Sequence, residues 1–471
     1  MNNSSVNTPF LLIGKMHTEL RQKSNQFGQS NYRERKRLLK SLKKSILTHQ
    51  EKMEKAMHLD FNKPKIEVQL TESYVLKSSI DHLLKNLRNW MEAKRVQTPL
   101  SLFGTKGYTQ AQAKGSVLII SPWNYPFTLT LGPLACAIAA GNTVMLKPSE
   151  STPHCSEVLS EIVAEVFTCD EVFVAKGDVE VSKQVLTYKW DHIYYTGGAE
   201  VGKAIMKSAA EQLCSVTLEL GGKSPCIVDE TADLKNAAKR IVWGKFLNAG
   251  QTCVAPDYLL VHEKVKSELI SKMKELISEM YNDSTNDLAS IVNNKHFERL
   301  KSALDQAIES GANALTGGKY IDDSRQIEPT LLEGVDSDGE LMQNEIFGPI
   351  LPILSYSNEN ECLDIINYKE YPLAMYIFSS SKTNIRRLIS NTKAGTTAIN
   401  TAIVQFNHPY LPFGGIGHSG MGKGHGKYGF DEFSNLRSFV HQTFKWNTLE
   451  LIRPPFTRVS ELVSKLTIKY L

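Results

Sequence analysis

The stretch "HIYYTGGAEVGKAIMKSAA" (residues 192–210) contains the unit that decides the fold: a β-rich run, a glycine pair and a helix. The four-residue spacing predicts that Val201, Ile205 and Ala209 form the inner face of that helix. Backbone N–H groups at such a helix start can hold a phosphate. The glycine pair does not complete the GxGxxG fingerprint, however, so this stretch alone is weak evidence for a dinucleotide.

The alternation of strand and helix extends to both sides of this unit. Strands are predicted at "GSVLII", "NTVMLK", "EVFVA", "SPCIVD", "DYLLVH", "EPTLLEG", "GPILPILSY" and "YPLAMYIFS", and helices over 31–57, 66–94, 152–167, 179–187, 233–249 and 263–281. This order implies an α/β protein with parallel sheets covered by helices, in two units that divide near residue 220. Residues 105–115 and the part from about 430 fit neither unit.

Composition excludes several classes of function. A length of 471 residues predicts two to three domains, and the net charge of +4 is nearly balanced, so we expect no nucleic-acid partner. The seven cysteines are scattered without a CxxC pair, which predicts neither a disulfide framework nor a metal site. The N-terminus does not resemble a signal peptide, and no apolar run is long enough to span a bilayer. We therefore expect a cytoplasmic protein.

Three short stretches place polar side chains at the ends of predicted strands, where open parallel sheets bind ligands. Asn124 lies in "SPWNYP", Lys147 and Glu150 in "MLKPSESTP", and Glu219 in "TLELGGKSP". Taken singly, each also fits an ordinary role as a turn or surface residue. Glu219 is the most informative of them, because a carboxylate in an apolar run is costly to bury without a purpose.

Cys253, in "FLNAGQTCVAPDY" (246–258), is a candidate nucleophile. The helix before it is expected to end near Gly250 with a left-handed cap. The thiol would then lie beyond the negative end of the helix, which disfavours a thiolate. By itself this residue therefore fits a structural cysteine as well as a reactive one, and reactivity would need a nearby base or a cationic cofactor.

Seven motifs in order resemble those of the aldehyde dehydrogenase superfamily. They are "PWN", "LKPSE", "YTGG", "LELGGKSP", "GQTC", "NEIFGPI" (344–350) and "LPFGGIGHSGMG" (411–422), and the resemblance covers about residues 20 to 445. The variants "GQTCVAPDY" and "SGMGKGHGKYGFDEFSN" resemble the class 3 branch, which acts on medium- and long-chain or aromatic aldehydes.

The resemblance implies three catalytic residues. Cys253 would be the nucleophile that adds to the aldehyde carbon. Asn124 would donate its side-chain N–H to the oxyanion. Glu219 would be the general base that activates water against the thioester, and its presence favours release of a free carboxylic acid. His418 and His425 receive no catalytic role and are expected to be structural.

The resemblance also implies a cofactor, NAD with NADP as an alternative, and no metal. Lys147 and Glu150 match positions that hold the adenine ribose, and Glu345 the position that holds the nicotinamide ribose. At the pyrophosphate turn the family usually has a polar side chain where this chain has Gly198. The predicted cofactor-binding residues are Trp123, Lys147, Ser149, Glu150, Thr196, Gly197, Gly198, Val201, Leu220, Glu345 and Phe347. The predicted substrate-pocket residues are Tyr125, Thr252 and Phe413.

The implied fold has a Rossmann-like cofactor domain (1–104 and 115–220), an α/β catalytic domain (221–418) and a small β bridging element (105–114 and 431–446). Family members pair through that element, so the resemblance predicts a homodimer. The C-terminal tail (447–471) is predicted to place Val459, Leu462, Val463, Leu466 and Tyr470 on one helical face. That face would cover the substrate entrance or a partner subunit, with weak membrane-surface association as an alternative and no stable insertion.

These features predict NAD(P)-dependent oxidation of an apolar aldehyde to its carboxylic acid, through a cysteine thiohemiacetal and a thioester. One alternative is an acylating or semialdehyde dehydrogenase with another acyl acceptor. A second is a relative that keeps the fold without catalysis, which the presence of Asn124, Glu219 and Cys253 disfavours.

Overall fold

The computed structural model describes residues 7–281, 287–445 and 448–470, and two large sheets organise them. The first sheet has six strands. In spatial order they are Gly420–Met421, Ser215–Glu219, His192–Thr196, Ser116–Ile120, Thr143–Lys147 and Val172–Val174. All neighbours are parallel except the pair that includes Gly420–Met421.

The direction of winding in the first sheet reverses at the strand Ser116–Ile120. The chain first moves outward to Val172–Val174 and then returns to the other side of Ser116–Ile120 as His192–Thr196. The carboxyl ends of these two central strands therefore border the crevice in which such sheets bind ligands.

The second sheet has seven strands. In spatial order they are Asn313–Thr316, Thr330–Glu333, Ile350–Tyr356, Tyr258–His262, Pro225–Val228, Ala374–Phe378 and Thr396–Ile399. Only Asn313–Thr316 runs antiparallel to its neighbour. Tyr258–His262, Pro225–Val228 and Ala374–Phe378 are buried along their whole length, which explains their continuous apolar runs.

Helices cover both sheets, and the α/β class predicted from the sequence is confirmed. The α-helices are Phe10–Gly28, Tyr32–Thr48, Gln50–Phe61, Lys65–Val68, Tyr74–Met91, Thr128–Ala140, Pro153–Val166, Val179–Leu186, Ala199–Glu211, Leu234–Phe246, Glu263–Tyr281, Asn294–Glu309, Glu340–Gln343, Glu359–Asn367, Lys382–Asn391, Gly426–Glu432 and Arg458–Tyr470.

Several helix predictions need correction. The helix predicted over 31–57 is two helices separated at His49, and the one predicted over 66–94 contains a π-helical turn, Gln69–Ser73. Val201, predicted to face inward, is 53% exposed, whereas Ile205 and Ala209 are buried as predicted. We did not predict Phe10–Gly28, which packs Ile13, Met16 and Leu20 against the first sheet.

A three-stranded antiparallel sheet stands apart from the two large ones. Its strands are Lys94–Val96, Thr105–Ala113 and Ser434–Gln442, the last two paired over nine residues from Ala113↔Ser434 to Thr105↔Gln442. It brings together the two segments that we predicted as the bridging element and adds Lys94–Val96, which we had placed in the cofactor domain. The division into domains stays a prediction.

The C-terminal tail forms the helix Arg458–Tyr470, whose apolar side chains Val459, Leu462, Leu466 and Tyr470 are exposed. What covers this face stays a prediction. Within residues 7–281, 287–445 and 448–470, no helix combines the length and the apolar character that crossing a membrane requires.

Candidate active site

The loop that carries Cys253 begins with three consecutive residues in the left-handed region. The preceding helix ends at Phe246, and Asn248, Ala249 and Gly250 have φ angles of 55°, 53° and 71°. The prediction that this helix continues to 249 and is capped at Gly250 was therefore wrong. A side chain on Gly250 would bring its Cβ to 2.2 Å from the carbonyl oxygen of Gly348, so this position requires glycine.

Two amide side chains hold the loop in this strained form. Asn248 donates from Nδ2 to the carbonyl oxygens of Asn124 and Gln251, each at 3.1 Å. Gln251 donates to the carbonyl of Ser290 (3.1 Å) and accepts from the backbone N–H of Val292 (3.0 Å). The bonds to Asn124, Ser290 and Val292 come from distant parts of the chain. The surrounding structure therefore maintains the strained backbone near the thiol.

Cys253 is partly exposed at the end of this loop. Burial, together with the smaller effect of the nearby carboxylates Glu345 and Glu219, raises the pKa of its thiol to about 12. The sequence led us to expect a poorly ionised thiol because of a helix C-terminus. That helix ends seven residues earlier, so desolvation, rather than the helix dipole, is the main cause.

Asn124 lies beside this loop at the carboxyl end of Ser116–Ile120, as predicted. The side chain is buried, and its Nδ2 donates to the carbonyl oxygen of Gln251 at 3.0 Å. A side-chain amide has two N–H donors, so one remains for an oxyanion at the thiol.

Glu219 ends the strand Ser215–Glu219 and is 5% exposed. Its Oε1 accepts a hydrogen bond from the Tyr194 hydroxyl (3.3 Å), and its Oε2 has no partner among the described residues. Burial raises the pKa of the carboxyl to about 8, while hydrogen bonding from Tyr194 and the charge of Lys423 oppose the rise. A carboxylate with a raised pKa and an unused oxygen can accept a proton from water.

Two cavities reach these residues. The first, the apolar cavity, has mostly apolar walls, which include Val75, Leu76, Leu83, Pro133, Phe406 and Phe413. The second, the Glu345 cavity, is lined by Pro122, Trp123, Asn124, Gly197, Gly198, Gly221, His296, Arg299, Glu345 and Phe347. Cys253 and Glu219 border both cavities, together with Leu129, Thr196 and Leu220. The thiol therefore lies between two separate chambers.

Most of the predicted cofactor residues meet in the Glu345 cavity. They are Trp123, Thr196, Gly197, Gly198, Leu220, Glu345 and Phe347. Gly198 is the N-cap of helix Ala199–Glu211, and no side chain caps this helix. The uncapped N–H groups and the open space around Gly198 fit a pyrophosphate. Val201, exposed on the first turn, lies close by in sequence.

Lys147 is the last residue of the strand Thr143–Lys147, where it pairs with Ile120 of the central strand Ser116–Ile120. Ser149 and Glu150 follow directly after this strand. The buried Nζ of Lys147 donates to the carbonyl of Pro148 (2.8 Å) and to the exposed Glu150 (3.3 Å). These residues lie at the same sheet edge as the Glu345 cavity but outside its walls.

Glu345 is held by a buried ion pair that we did not predict. Lys223 pairs with Asp257 and donates to the carbonyl oxygens of Leu341 (2.8 Å) and Asn344 (3.0 Å). Asp257 accepts from the backbone N–H of Ile346 at 2.9 Å. Both residues stand inside quoted motifs, but only the tertiary structure shows that they fix the chain on either side of Glu345.

The three predicted substrate-pocket residues lie in two different places. Phe413 lines the apolar cavity. Tyr125 and Thr252 are buried behind the Cys253 loop, where Tyr125 Oη and Thr252 Oγ1 share a hydrogen bond of 2.7 Å. Each is next to a catalytic candidate in the chain, yet neither is among the residues that line the apolar cavity or the Glu345 cavity.

Several wall residues carry no signal in the sequence that we recognised. His296 and Arg299 reach the Glu345 cavity from the helix Asn294–Glu309. His425 lines the apolar cavity, where its ring stacks on Phe413 at 4.9 Å and burial lowers its pKa to about 4. A neutral, stacked His425 agrees with the structural role expected for it. Across the described ranges, no group of His, Cys, Asp or Glu side chains has the arrangement of a metal site.

A thiol, a carboxylate with a free oxygen and an amide donor thus meet between an apolar cavity and one that fits a dinucleotide. The sequence profile of the aldehyde dehydrogenase family matches residues 14–439. The 4,4'-diaponeurosporen-aldehyde dehydrogenase of Staphylococcus aureus (strain NCTC 8325 / PS 47) is 45% identical over 419 residues, 88% of this chain and 90% of the relative.

Two further comparisons agree. Aldehyde dehydrogenase family 3 member A2 of Rattus norvegicus is 40% identical over 420 residues, 88% of this chain and 86% of the relative. The structure described as the substrate-bound state of Staphylococcus aureus AldH is 41% identical, covers 97% of this chain and 99% of its own, and superposes with a TM-score of 0.93. The chain therefore belongs to the aldehyde dehydrogenase family, in its class 3-like branch, and is an aldehyde dehydrogenase.

Proposed function

We propose that Cys253, Asn124 and Glu219 carry out the oxidation of an apolar aldehyde to its carboxylic acid. The observation that carries this proposal is the position of Cys253 and Glu219 on the shared wall of the two cavities. A substrate in the apolar cavity and a cofactor in the Glu345 cavity would meet at the thiol. Holding the reacting groups close together in this way lowers the barrier to the reaction.

In the first half of the reaction, Cys253 Sγ adds to the aldehyde carbon, and the thiol proton passes to Glu219 or to water. The free N–H of Asn124 and the backbone N–H of Cys253 hold the resulting oxyanion. Donors of this type contribute about 3 kcal/mol each. When bound, NAD(P) supplies the hydride acceptor, and loss of hydride from the adduct leaves a thioester on Cys253.

In the second half, Glu219 takes a proton from water through its unpaired Oε2, and the hydroxide attacks the thioester carbon. The carbon–sulfur bond breaks, the carboxylic acid is released, and the thiolate regains a proton. One aldehyde and one water thus give one acid, with two electrons passed to the cofactor.

NAD is the proposed cofactor. Gly197, Gly198 and the start of helix Ala199–Glu211 would hold the pyrophosphate, and Glu345 the nicotinamide ribose. Glu150, exposed beside Lys147, would accept from the adenine ribose hydroxyls and repel a 2′-phosphate. NADP is the alternative that a comparison of the two cofactors tests.

The proposed substrate is a medium- or long-chain or aromatic aldehyde. The apolar cavity is lined by residues such as Phe406, Phe413, Leu83 and Val75, and within the part of the chain that the structure describes its lining includes no Lys or Arg that could pair with a charged substrate tail. The family's acylating and semialdehyde members, by contrast, act on small polar substrates or use another acyl acceptor. The unpaired Oε2 of Glu219 favours water as the acceptor. We further propose a cytoplasmic homodimer that pairs through the small sheet.

The test is NADH formation across aldehydes of graded chain length, with NAD and with NADP, without coenzyme A or phosphate. We expect activity to rise with apolar length, acid as the product, and loss of at least about 10³-fold in Cys253→Ala. Unchanged NADH formation in Cys253→Ala would exclude the nucleophile, and a preference for short charged semialdehydes would exclude the substrate class.

A further inference from the structure

A buried ionic cluster lies behind the Cys253 loop, and the proposed reaction does not use it. Its members are Lys63, Glu67 and Glu72, from the segment between helices Gln50–Phe61 and Tyr74–Met91. Lys63 is 1% exposed, and its Nζ has no hydrogen-bond partner among the described residues. A buried ammonium is costly, so Lys63 stays charged only if nearby negative groups compensate its charge. Glu72 and Glu67 oppose the lowering of its pKa that burial causes.

Lys63 contacts Tyr125, which is hydrogen-bonded to Thr252, the residue before Cys253. Its Nζ lies 3.9 Å from the centre of the Tyr125 ring, within the range of a cation–π interaction. The hydroxyl of the same ring shares the 2.7 Å hydrogen bond with Thr252, which directly precedes Cys253. The charge of Lys63 is thus connected through one side chain to the nucleophile's loop.

The two glutamates bind the two halves of the site. Glu67 accepts at 3.0 Å from the backbone N–H of Asn248, the first left-handed residue of the Cys253 loop. Glu72 accepts at 2.5 Å from the backbone N–H of Thr128, the first residue of the helix that follows the Asn124 turn. Burial raises the pKa of each carboxyl to about 7. The positive charge of the nearby Lys63 opposes this rise in both of them.

Local backbone geometry brings the three side chains together. Asn62, with φ of 52°, ends the preceding helix, so that Lys63 turns into the interior. Five residues apart in a regular α-helix, Glu67 and Glu72 would point about 140° away from each other. Glu72 lies within the π-helical turn Gln69–Ser73, and the smaller rotation per residue of such a turn reduces the angle between the two side chains.

We propose that Lys63, Glu67 and Glu72 are positioning residues that hold the Asn124 turn and the Cys253 loop at the separation needed for oxyanion stabilisation. The inference rests on the proposed function of Cys253 and Asn124. It assigns no contact with substrate or cofactor to the cluster, so its effect is on the chemical step.

Lys63→Met tests the proposal because it keeps the length of the side chain and removes its charge. We expect kcat to fall by about tenfold to a hundredfold, as for small displacements of reacting groups, while the Kd for NAD changes less than about twofold. Lys63→Arg, which keeps the charge, should retain more of kcat than Lys63→Met. A kcat within about twofold of the unmodified enzyme in Lys63→Met would overturn the proposal.

Arg35→Met is the matched control for loss of a buried cation. Arg35 is 6% exposed and donates to the carbonyl oxygens of Gly28 (2.8 Å) and Ala139 (3.0 Å), outside both cavities. Its replacement should lower Tm and leave kcat unchanged. A loss of kcat in Arg35→Met equal to that in Lys63→Met would show a general effect of destabilisation and would also overturn the proposal.

Tyr125→Phe gives a second test that does not require removal of a buried charge. It keeps the ring over Lys63 and removes only the hydrogen bond to Thr252. The kcat should therefore fall, while the Kd for NAD should stay the same. An unchanged kcat would contradict the proposed link from Lys63 through Tyr125 to the Cys253 loop. Cys253→Ala, measured in parallel, distinguishes a failure of the proposed function from a failure of the positioning role. An active Cys253→Ala excludes the proposed function, whereas an inactive one beside a fully active Lys63→Met excludes only the positioning role.

Discussion

At the scale of single residues, the protonation of Cys253 governs when the enzyme can react. A thiol with a pKa of about 12 is almost wholly protonated at neutral pH. The carboxyl groups of Glu345 and Glu219 contribute to this high pKa, because each of them places negative charge close to the sulfur once it is ionised. A cation bound in the Glu345 cavity would offset both charges and lower the pKa of the thiol.

This electrostatic balance predicts how the thiol responds to an alkylating reagent. Iodoacetamide should modify Cys253 slowly in the free enzyme, and faster once oxidised NAD, which carries a positive nicotinamide ring, is bound. The rate can be followed by mass spectrometry of the peptide that contains Cys253. The exposed Cys169 provides an internal control whose rate should not depend on NAD, and equal rates at Cys253 with and without NAD would contradict the argument.

Glu219 should determine the pH dependence of thioester hydrolysis. It acts as a base only when it is ionised, and burial raises its pKa to about 8. Turnover limited by hydrolysis should therefore rise with pH, by about tenfold per unit below pH 8, and level off above it. Acid formation measured between about pH 6 and about pH 9.5 checks this rise.

Glu219→Gln keeps the shape of the side chain and removes the base. The rise with pH should disappear, and turnover should fall by about 10²-fold or more. A rapid first burst of NADH should remain, because hydride loss precedes hydrolysis. A variant that kept both full turnover and the rise with pH would show that another group is the base.

At the scale of elements, the sequence predicted the strands better than the loops between them. Apolar runs such as "NTVMLK" and "DYLLVH" fall on observed strands because burial on both faces needs apolar residues at every position. The left-handed run at Asn248, Ala249 and Gly250 could not be predicted. It depends on Glu67, Asn124 and Ser290, which are distant in the chain.

The same limit applies to the candidate site. Asn124, Glu219 and Cys253 are marked by motifs, because each follows a strand or a glycine turn. Tyr194 and Lys423 stand inside quoted stretches and Arg299 does not, but no pattern indicates their place in the site, since only packing brings them to Glu219 or to the Glu345 cavity. Tyr125 and Thr252 adjoin marked residues, but the sequence does not show that their hydroxyl groups share a hydrogen bond with each other.

The helix Ala199–Glu211 provides a prediction at this scale. Gly198 has φ of −74° and ψ of 149°, which suits a serine N-cap, and no atom lies within 4 Å of a Cβ added there. Gly198→Ser should raise stability by a few tenths of a kcal/mol. Its hydroxyl should also add a hydrogen bond to the pyrophosphate and lower the KM for NAD by about fivefold, which corresponds to about 1 kcal/mol.

Gly198→Ala is the control for this variant. It restricts the backbone in the same way but provides no hydroxyl, so the KM for NAD should stay close to that of the unmodified enzyme. Steady-state kinetics with NAD as the varied substrate, together with thermal unfolding, measures both effects. An equal KM in Gly198→Ser and Gly198→Ala would mean that the turn does not contact the pyrophosphate.

At the scale of the whole molecule, the small sheet has an edge on which no strand of the described residues pairs. Ser434–Gln442 has one neighbour, Thr105–Ala113, and its residues Leu436 and Val440 are 67% and 64% exposed. They lie on the same face of the strand, since side chains alternate with a period of two. An exposed apolar edge is the kind of surface that proteins cover by association.

Leu436→Lys combined with Val440→Lys should therefore weaken the proposed dimer. Charges on both positions would oppose burial of this strand, and the protein should elute as a monomer in size-exclusion chromatography with light scattering. Leu11→Lys, at a position 91% exposed on the helix Phe10–Gly28, is the control and should not change the mass. An unmodified protein that is already a monomer would exclude the dimer.

The separation of the apolar cavity from the Glu345 cavity also determines how the enzyme can be inhibited. Because the two cavities share only the wall around Cys253 and Glu219, with Leu129, Thr196 and Leu220, a compound that fills the rest of the apolar cavity does not occupy the space of the dinucleotide. Such a compound would compete with the aldehyde while leaving the affinity for NAD intact, so raising the NAD concentration could not relieve the inhibition. Selectivity among related enzymes would then come from residues such as Val75, Phe406 and His425, which line the apolar cavity and have no part in the proposed chemistry.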